Sequence, residues 1–326
     1  MQIVVTGANG FVGAALIALL CDAGHDVVAL VRRRGAAIAC ARELLIADDN
    51  FASVAVGEPS LGHCDVLVHL AARVHVTRES IADPLEAYRA TNVGGALNAV
   101  QAAHAAGARR VVFVSSVKAL GEREPGRPWR EDDHGVPLDP YGVSKYEAEQ
   151  AILAFGREHS IEVAVVRPPL VYGPGVRANF HTLMRAVDLG IPLPLGSVDA
   201  RRSMVYVGNL ADALRVLATC EGPVGGVYHV TDGNDLTVAG MIRAIALALG
   251  RPARLVPVPV SWLRGLGRIS GKTAQVDRLA SPLRLDGVRL RAELDWVPPW
   301  SVAQGLAETA RAYKINWTKP TKRTQQ

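Results

Sequence analysis

The sequence predicts an α/β protein: a doubly wound parallel sheet followed by a smaller, mainly helical C-terminal lobe. Short apolar runs rich in β-branched residues alternate with helical stretches through the first half of the chain, which indicates a buried parallel sheet. A turn with three glycines separates the first run from the first helical stretch. After Pro168, proline and glycine become frequent and the alternation fades, which indicates a different architecture.

The regular half is predicted to hold six strands and three helices. The strands are predicted, in order, over QIVVT, HDVVALV, SVAVG, CDVLVHLAA, ARRVVFVSS and IEVAVVRPPLVYG. The helices are predicted from about Phe11 to Ala23 and over TNVGGALNAVQAAHAAG and YGVSKYEAEQAILAFGREH. Later in the chain, MVYVGNLADALRVLATC and GGVYHVT are predicted to return to the sheet as one more helix and strand.

This pattern predicts two coupled domains within the 326 residues of the chain. The sheet domain is predicted to span residues 1–168, with residues 204–231 returning to it. The lobe is predicted to comprise residues 169–203 and 232–317, and residues 318–326 are predicted to be a disordered tail.

Charge and composition disfavour several classes of partner. The net charge of +5 is spread out, apart from Arg32–Arg34 and the C-terminal tail, so we expect no nucleic-acid partner. No stretch approaches the roughly 20 apolar residues that span a bilayer, so we expect no membrane insertion. No cluster has metal-ligand spacing, and no metal is expected. The cysteines show no CxxC pair, so we expect free thiols in a reducing cytoplasm: Cys21, Cys40, Cys64 and Cys220.

The glycine turn, TGANGFVG, is typical of a dinucleotide-binding site. Gly7 permits a tight turn after the strand, and Gly10 lets the backbone approach a pyrophosphate at the positive end of the helix. Gly13 lets that helix pack closely on the strand. The spacing is GxxGxxG rather than GxGxxG. Its place between a strand and a helix makes a dinucleotide the expected ligand.

The end of the second strand bears on which dinucleotide is bound. NAD sites normally carry an acidic residue there for the ribose hydroxyls, but this position falls near Val31 and is followed by Arg32, Arg33 and Arg34. An arginine at this place can pair with a 2′-phosphate. We therefore predict a preference for NADP(H), with NAD(H) possible. The alternative is a basic surface loop without a role in binding.

A catalytic group is predicted from YGVSK and the strand before it. Tyr141 and Lys145 are four residues apart and share one face of a helix. A nearby ammonium would lower the phenol pKa and make Tyr141 a proton donor and acceptor. Ser116 ends a strand with Ser115, and its hydroxyl could bond the same substrate oxygen, while Asn92 could be carried toward the lysine. Each residue alone is equally consistent with an exposed helix face or a strand-end cap.

Taken together, the motifs resemble the extended short-chain dehydrogenase/reductases, the nucleotide-sugar epimerase/dehydratase family. The resemblance covers nearly the whole chain, through TGANGFVG, DVLVHLAA, YRATNVGG, VFVSSVKALGE, YGVSK, RPPLVYGPG, RRSMVYVGNLADA and AELDW. It implies a Rossmann-like domain, a substrate crevice between this domain and the small lobe, and a homodimer formed through two long helices, near Asn92–Ala106 and Tyr141–His159.

The resemblance also implies roles for individual residues. Tyr141 would be the acid/base, Lys145 would orient the ribose and Ser116 would polarise the substrate oxygen. Glu58 would take the place of the acidic residue near the adenine amino group, and Arg202 would contact the sugar-nucleotide diphosphate. The cofactor-binding set is Gly7, Asn9, Gly10, Phe11, Val12, Arg32, Arg33, Glu58, Leu70, Ala71, Ala72, Asn92, Ser115, Tyr141, Lys145 and Pro168. The substrate-binding set is His75, Ser116, Lys118, Tyr141, Asn179, Arg202 and Arg278.

Family members move a hydride between a sugar carbon and a nicotinamide. Dehydratases need an Asp-Glu pair after the serine strand, where this chain has SSVK, so dehydration is disfavoured. The SSVKALGE and RRSMVYVGNL stretches are most similar to 4-reductases and 4-epimerases of bacterial O-antigen synthesis. We predict NADP(H)-dependent reduction of the C4 keto group of a UDP-4-keto-6-deoxy-N-acetylhexosamine. The alternatives are a UDP-hexose or UDP-N-acetylhexosamine 4-epimerase with tightly held NAD, and a non-catalytic NADP-binding sensor.

Overall fold

The computed structural model describes residues 1–35, 39–74 and 83–318. Its strands are, in chain order, β1 (Gln2–Thr6), β2 (Asp26–Val31), β3 (Arg42–Leu45), β4 (Val66–His69), β5 (Arg110–Val114), β6 (Glu162–Arg167), β7 (Leu170–Tyr172), β8 (Arg201–Arg202), β9 (Met204–Tyr206), β10 (Gly226–His229) and β11 (Leu236–Thr237). Seven of them form one parallel sheet in the order β10-β6-β5-β4-β1-β2-β3.

Helices cover both faces of this sheet and build the lobe. They are α1 (Phe11–Asp22), α2 (Ala52–Ala55), α3 (Pro84–Arg89), α4 (Gly95–Ala105), α5 (Pro140–His159), α6 (Ala178–Asp188), α7 (Val207–Thr219), α8 (Val238–Leu249), α9 (Val260–Ile269), α10 (Thr273–Ala280), α11 (Val288–Leu294) and α12 (Val302–Thr318). A π turn, Ala90–Gly94, joins α3 to α4, and a 3-10 turn, Val117–Ala119, follows β5. Within the described ranges, no helix is long and apolar enough to cross a bilayer.

Alternating side chains of each strand face the two helical layers. Ile3 and Val5 pack with α1 and α7 on one face, whereas Val4 packs with α2, α4 and α5 on the other. Both layers are apolar, which is why the central strands are rich in Val, Leu and Ile. The prediction of a doubly wound parallel sheet is confirmed.

The lobe has a hydrophobic core of its own, formed by α6, α8 and α12 around the short parallel pair β7 and β9. β9 was expected to return to the main sheet as the start of a helix, but it pairs with β7, and the helix α7 begins only at Val207. α7 then packs on α1, and β10 joins the sheet beside β6.

The third strand lies elsewhere than predicted. β3 is formed by Arg42–Leu45, whereas the segment SVAVG mostly belongs to the short helix α2. Asp48 Oδ2 accepts a hydrogen bond of 2.9 Å from the backbone N–H of Ser53, which caps a helical turn there. β3 is an edge strand with half-exposed residues, so it lacks the apolar signature of the central strands.

The expectation of four free thiols was also wrong. The end of α1 lies against the segment before β3, and Cys21 and Cys40 form a disulfide across a Cα–Cα distance of 6.3 Å. Cys64 and Cys220 are free, and burial raises the pKa of the Cys64 thiol to about 12.

Candidate functional site

The glycine turn brings three segments into close contact. Gly7 has a φ of +65°, and a Cβ there would lie 2.8 Å from the backbone nitrogen of Ala71. The backbone N–H groups of Leu70 and Ala71 donate to Thr6 Oγ1 at 3.1 Å each. A Cβ at Gly13 would overlap the Gly7 carbonyl oxygen. The turn, the start of α1 and the segment after β4 therefore form one edge, to which the predicted cofactor ligands Leu70, Ala71 and Ala72 belong.

The first turn of α1 fits the pyrophosphate of a dinucleotide. Gly10 is the N-cap of α1, no side chain caps the helix, and its first turn holds no acidic residue. The first N–H groups of the helix are therefore left for an anion. Asn9 is exposed in the turn, while Phe11 and Val12 begin α1 and pack toward the lobe core.

A carboxylate that sequence analysis missed lies at the same edge of the sheet. Asp48 follows β3, and the N–H of Ile46 donates to Val31 O at 2.9 Å, which places this segment beside the end of β2. Asp48 Oδ1 is buried and has no hydrogen-bond partner among the described residues. An orphaned acceptor at this place fits a base amino group better than Glu58 does, because Glu58 is exposed in the loop after α2. The sequence signal that could have indicated Asp48 is the ADD triplet, residues 47–49, shortly after β3.

The arginine segment, Arg32–Arg34, lies at the end of β2 as the sequence indicated. Arg32 and Arg33 follow β2 directly and are exposed. The N–H of Gly35 donates to Glu43 Oε2 at 2.8 Å, which holds the end of this segment against β3. The position that would carry an acidic residue is Val31, which is buried.

The predicted catalytic residues converge at the carboxyl ends of β5 and β6. The Ser116 hydroxyl lies near enough to the Tyr141 hydroxyl to lower the pKa of the phenol. Lys145 lies one helical turn behind Tyr141, donates from Nζ to Val114 O at 2.7 Å and stands 4.4 Å from the centroid of the Phe113 ring. The three residues therefore form one group, although they come from two separate elements.

The electrostatics of this group differ from the expectation. Burial raises the pKa of Tyr141 to about 12, and only the nearby Ser116 hydroxyl opposes this shift, whereas the charge of Asp139 adds to it. Burial lowers the pKa of Lys145 to about 7. The predicted lowering of the phenol pKa by the ammonium was wrong for this structure, because burial dominates and Lys145 Nζ is directed to Val114 O.

Asn92 acts as a clamp beside the catalytic group. It lies in the π turn, accepts from the Arg73 N–H at 2.8 Å, and donates to Arg73 O at 3.1 Å and to Ser144 Oγ at 2.9 Å. The side chain therefore ties the segment after β4 to α5, one residue before Lys145. The buried His69 is held in the core by a 3.1 Å contact with Thr6 Oγ1, and burial lowers its pKa to about 3.

Ser115 is buried and turned toward α5. Its hydroxyl donates to Glu149 of α5, and Arg167 Nη2 donates to the same carboxylate at 2.6 Å. All three side chains are buried. Pro168 is buried nearby and its carbonyl accepts from the Val117 N–H at 3.0 Å, which fixes the turn after Ser116. These contacts give Ser115 and Pro168 a structural part beside the predicted cofactor.

Three predicted substrate ligands surround one carboxylate. Lys118 Nζ donates to Glu122 Oε1 at 2.5 Å, and Arg278 Nε lies 3.4 Å from Glu122 Oε2. Arg202 Nη1 donates to Arg278 O, and burial lowers the pKa of Arg202, although the charge of Glu122 opposes this shift. Three cations thus gather between the catalytic turn and the lobe.

Two further predicted ligands lie apart from this cluster. Asn179 is exposed in the first turn of α6. His75 lies outside the described residues. A cavity of about 120 Å³ opens in the lobe, lined by Gly173, Gly175, Val176, His181, Met184, Thr309 and Tyr313. Among the residues that the structure describes, no group of His, Cys, Asp or Glu side chains could hold a metal ion.

Known proteins are similar to this chain in sequence and in fold. The model of the NAD dependent epimerase/dehydratase family matches residues 3–231. A UDP-glucose 4-epimerase of Vibrio cholerae is 38% identical over 315 residues, which cover 96% of this chain and 95% of the relative. An N-acetyl-alpha-D-glucosaminyl-diphospho-ditrans,octacis-undecaprenol 4-epimerase of Escherichia coli O157:H7 is 25% identical over 77% of this chain and 78% of the relative. The solved structure of MoeE5 in complex with UDP-glucose and NAD is 26% identical, with a TM-score of 0.77 over 98% of this chain and 100% of that one.

Proposed function

The chain belongs to the NAD dependent epimerase/dehydratase family, and on this premise we propose that it is a UDP-sugar 4-epimerase. The proposed substrate is a UDP-hexose or UDP-N-acetylhexosamine. The sheet domain, residues 1–168 and 204–231 apart from β9, would bind the dinucleotide. The lobe, residues 169–203 and 232–317, would bind the sugar nucleotide.

The observation that carries this proposal is the convergence of the Ser116 and Tyr141 side chains after β5 and at the start of α5, with Lys145 buried one turn behind Tyr141. Tyr141 takes the proton from the sugar O4 and returns it, and Ser116 holds the same oxygen. The presence of all three residues disfavours a non-catalytic sensor. Gly7, Gly10 and the first turn of α1 would hold the pyrophosphate of the dinucleotide. That cofactor, when bound, supplies a hydride acceptor at the sugar C4.

Two relatives support epimerisation over net reduction. Both the V. cholerae and the E. coli proteins are 4-epimerases, and the first resembles this chain over nearly its full length. MoeE5 holds UDP-glucose and NAD on the same fold. NAD(H) is therefore the first cofactor to test.

The experiment is interconversion of UDP-glucose with UDP-galactose, and of the N-acetylated pair, with NAD present. We expect Tyr141→Phe and Ser116→Ala each to lower kcat by about 10²- to 10⁴-fold. Tyr146→Phe, on the same helix, is the matched control and should retain activity. A Tyr141→Phe protein with the wild-type kcat would overturn the assignment.

A second candidate is the NADP(H)-dependent 4-ketoreductase. It is favoured by Arg32 and Arg33, which stand exposed where an NAD site would have a carboxylate. The test is consumption of NADPH and of NADH with a UDP-4-keto-6-deoxy-N-acetylhexosamine. Stoichiometric oxidation, faster with NADPH and slowed by Arg32→Ala, would establish the reductase. Sugar interconversion without cofactor consumption would establish the epimerase.

We further propose that the protein acts in the cytoplasm as a homodimer that pairs through α4 and α5. A size measurement by light scattering, repeated with charge-reversed residues on the exposed face of α5, tests this. A monomeric wild-type protein would contradict it.

A further inference from the structure

Lys118 contacts both elements that carry the catalytic hydroxyls. Its backbone N–H donates to Ser116 Oγ at 3.2 Å. Its side-chain Nζ donates to Asp139 Oδ2 at 2.7 Å. Its carbonyl lies against the first turn of α5, since a Cβ at Gly142 would be only 2.5 Å from Lys118 O. The 3-10 turn and the start of α5 therefore meet at this one residue.

Asp139 is the N-cap of the helix that carries Tyr141. Its Oδ1 accepts from the Gly142 N–H at 2.9 Å, and its backbone carbonyl accepts from the Val143 N–H at 3.0 Å. The second carboxylate oxygen accepts from Lys118. A full negative charge at a helix N-terminus is favourable for the helix, but it lies two residues from the phenol that must ionise. The ammonium group of Lys118 compensates the negative charge of Asp139 beside Tyr141.

We propose that Lys118 is a positioning residue, which neutralises the cap of α5 and holds the Ser116 turn against Tyr141, instead of the substrate ligand that the sequence suggested. The inference rests on the proposed function in one respect, the role of Tyr141 as acid/base. The contacts of Lys118 are already satisfied by Asp139 and Glu122 without a substrate.

Other groups also face Tyr141. Tyr88 of α3 lies with its ring centroid 6.2 Å from that of Tyr141, and Arg73 stands 5.5 Å from the Tyr88 ring. The Ser116 side chain lies beside the Tyr141 hydroxyl, and Lys145 lies one turn after Tyr141 on α5. The Asp139 charge raises the pKa of Tyr141, so removal of its counter-ion should raise that pKa further.

The experiment is a double-mutant cycle of Lys118→Met and Asp139→Asn in the cofactor-loaded enzyme. Asparagine remains a good N-cap, so this change removes the charge and keeps the helix start. We expect Lys118→Met to move the limb where kcat rises with pH by about one unit to higher pH, which is about a tenfold loss of kcat at neutral pH. Asp139→Asn should move it to lower pH, and the double variant should return close to wild type. KM should change by less than about twofold.

Glu122→Gln is the matched control, because Glu122 also holds Lys118 but does not cap α5. It should leave the pH limb in place. A Lys118→Met protein with an unchanged limb and a raised KM would show a substrate ligand and overturn the proposal. So would a double variant whose shift is simply that of Lys118→Met.

A second measurement separates this proposal from the proposed function. Tyrosinate absorbance of each cofactor-loaded variant, minus that of its Tyr141→Phe counterpart, follows the ionisation of Tyr141 directly at alkaline pH. It requires no sugar. If no UDP-sugar is converted but the ionisation shifts as described, the function fails and the role of Lys118 stands. If sugar is converted and the ionisation does not shift, the reverse holds.

Discussion

Two ion networks flank the paired serines after β5, and they differ in their exposure to water. The network behind Ser115 joins Glu149 to Arg167, with side chains that are 0% and 3% exposed. The network beyond Ser116 joins Lys118 to Glu122 and Asp139, with side chains that are 20–24% exposed. Neighbouring serines of identical chemistry therefore belong to different environments.

The difference teaches which contacts support the fold and which adjust the site. A buried ion pair has no water to replace a lost partner, so it holds β5, β6 and α5 in one arrangement. A partly exposed network contributes less to stability because water can replace each partner. It can, however, change the charge near Tyr141 at small cost to the fold.

The largest effect is expected where the buried network is broken. Arg167→Met leaves Glu149 charged and buried without its partner, and the free energy of unfolding should fall by about 3–5 kcal/mol. Urea denaturation followed by circular dichroism measures this. The double variant Glu149→Gln/Arg167→Met should recover part of the loss, because no charge remains. An exposed ion pair contributes at most about 1 kcal/mol. If Arg167→Met lowered the free energy of unfolding by no more than that, the buried and the partly exposed network would not differ in their contribution to stability.

An intermediate effect is expected at the contact between the 3-10 turn and α5. Gly142→Ala places a Cβ 2.5 Å from Lys118 O, so the 3-10 turn must shift away from α5. We expect a loss of about 1–3 kcal/mol in stability together with a clear loss of kcat, measured by denaturation and by the sugar assay.

Gly265→Ala is the control for that substitution, since a Cβ at this helical position meets nothing within 4 Å. It should raise stability by about 0.4–1 kcal/mol. Equal effects of the two changes would mean that Gly142 matters only for helix propensity.

The smallest effect is expected in the open network. Glu122→Gln removes one partner of Lys118 and the 3.4 Å contact with Arg278, yet the free energy of unfolding should change by less than about 1 kcal/mol. Thermal unfolding at low and high salt measures it, and the difference from wild type should shrink in high salt. A loss as large as that of Arg167→Met would contradict the comparison.

The sheet could be predicted from the sequence because its central strands are covered on both faces. β1, β4 and β5 read as unbroken apolar runs. β3 could not be found in the same way, because its residues are half exposed at the edge of the sheet and only Leu44 packs against the core. The disulfide was equally invisible, because it depends on where α1 ends relative to a loop.

The sequence located the motifs of the candidate site, but it did not predict which side chains contact one another there. The glycine turn follows β1 at the carboxyl edge of the sheet, and the YGVSK motif lies at the same edge because Lys145 bonds Val114 O at the end of β5. Which serine lies beside Tyr141, and which carboxylates surround Lys118, depends on burial and on contacts between residues more than 20 positions apart in the chain. Asp48 was missed because the strand before it was missed.

The topology has a consequence for any attempt to divide the molecule. β10 lies beside β6 in the sheet, but residues 168–225 separate them in the chain, and part of the lobe is formed within that interval. No single cut can therefore release the sheet domain from the lobe. A fragment that ends before β10 would leave the backbone N–H and C=O groups along one side of β6 unpaired, and such an exposed edge strand promotes aggregation. If the chain were cleaved within residues 168–225, each of the two fragments would need the other in order to fold.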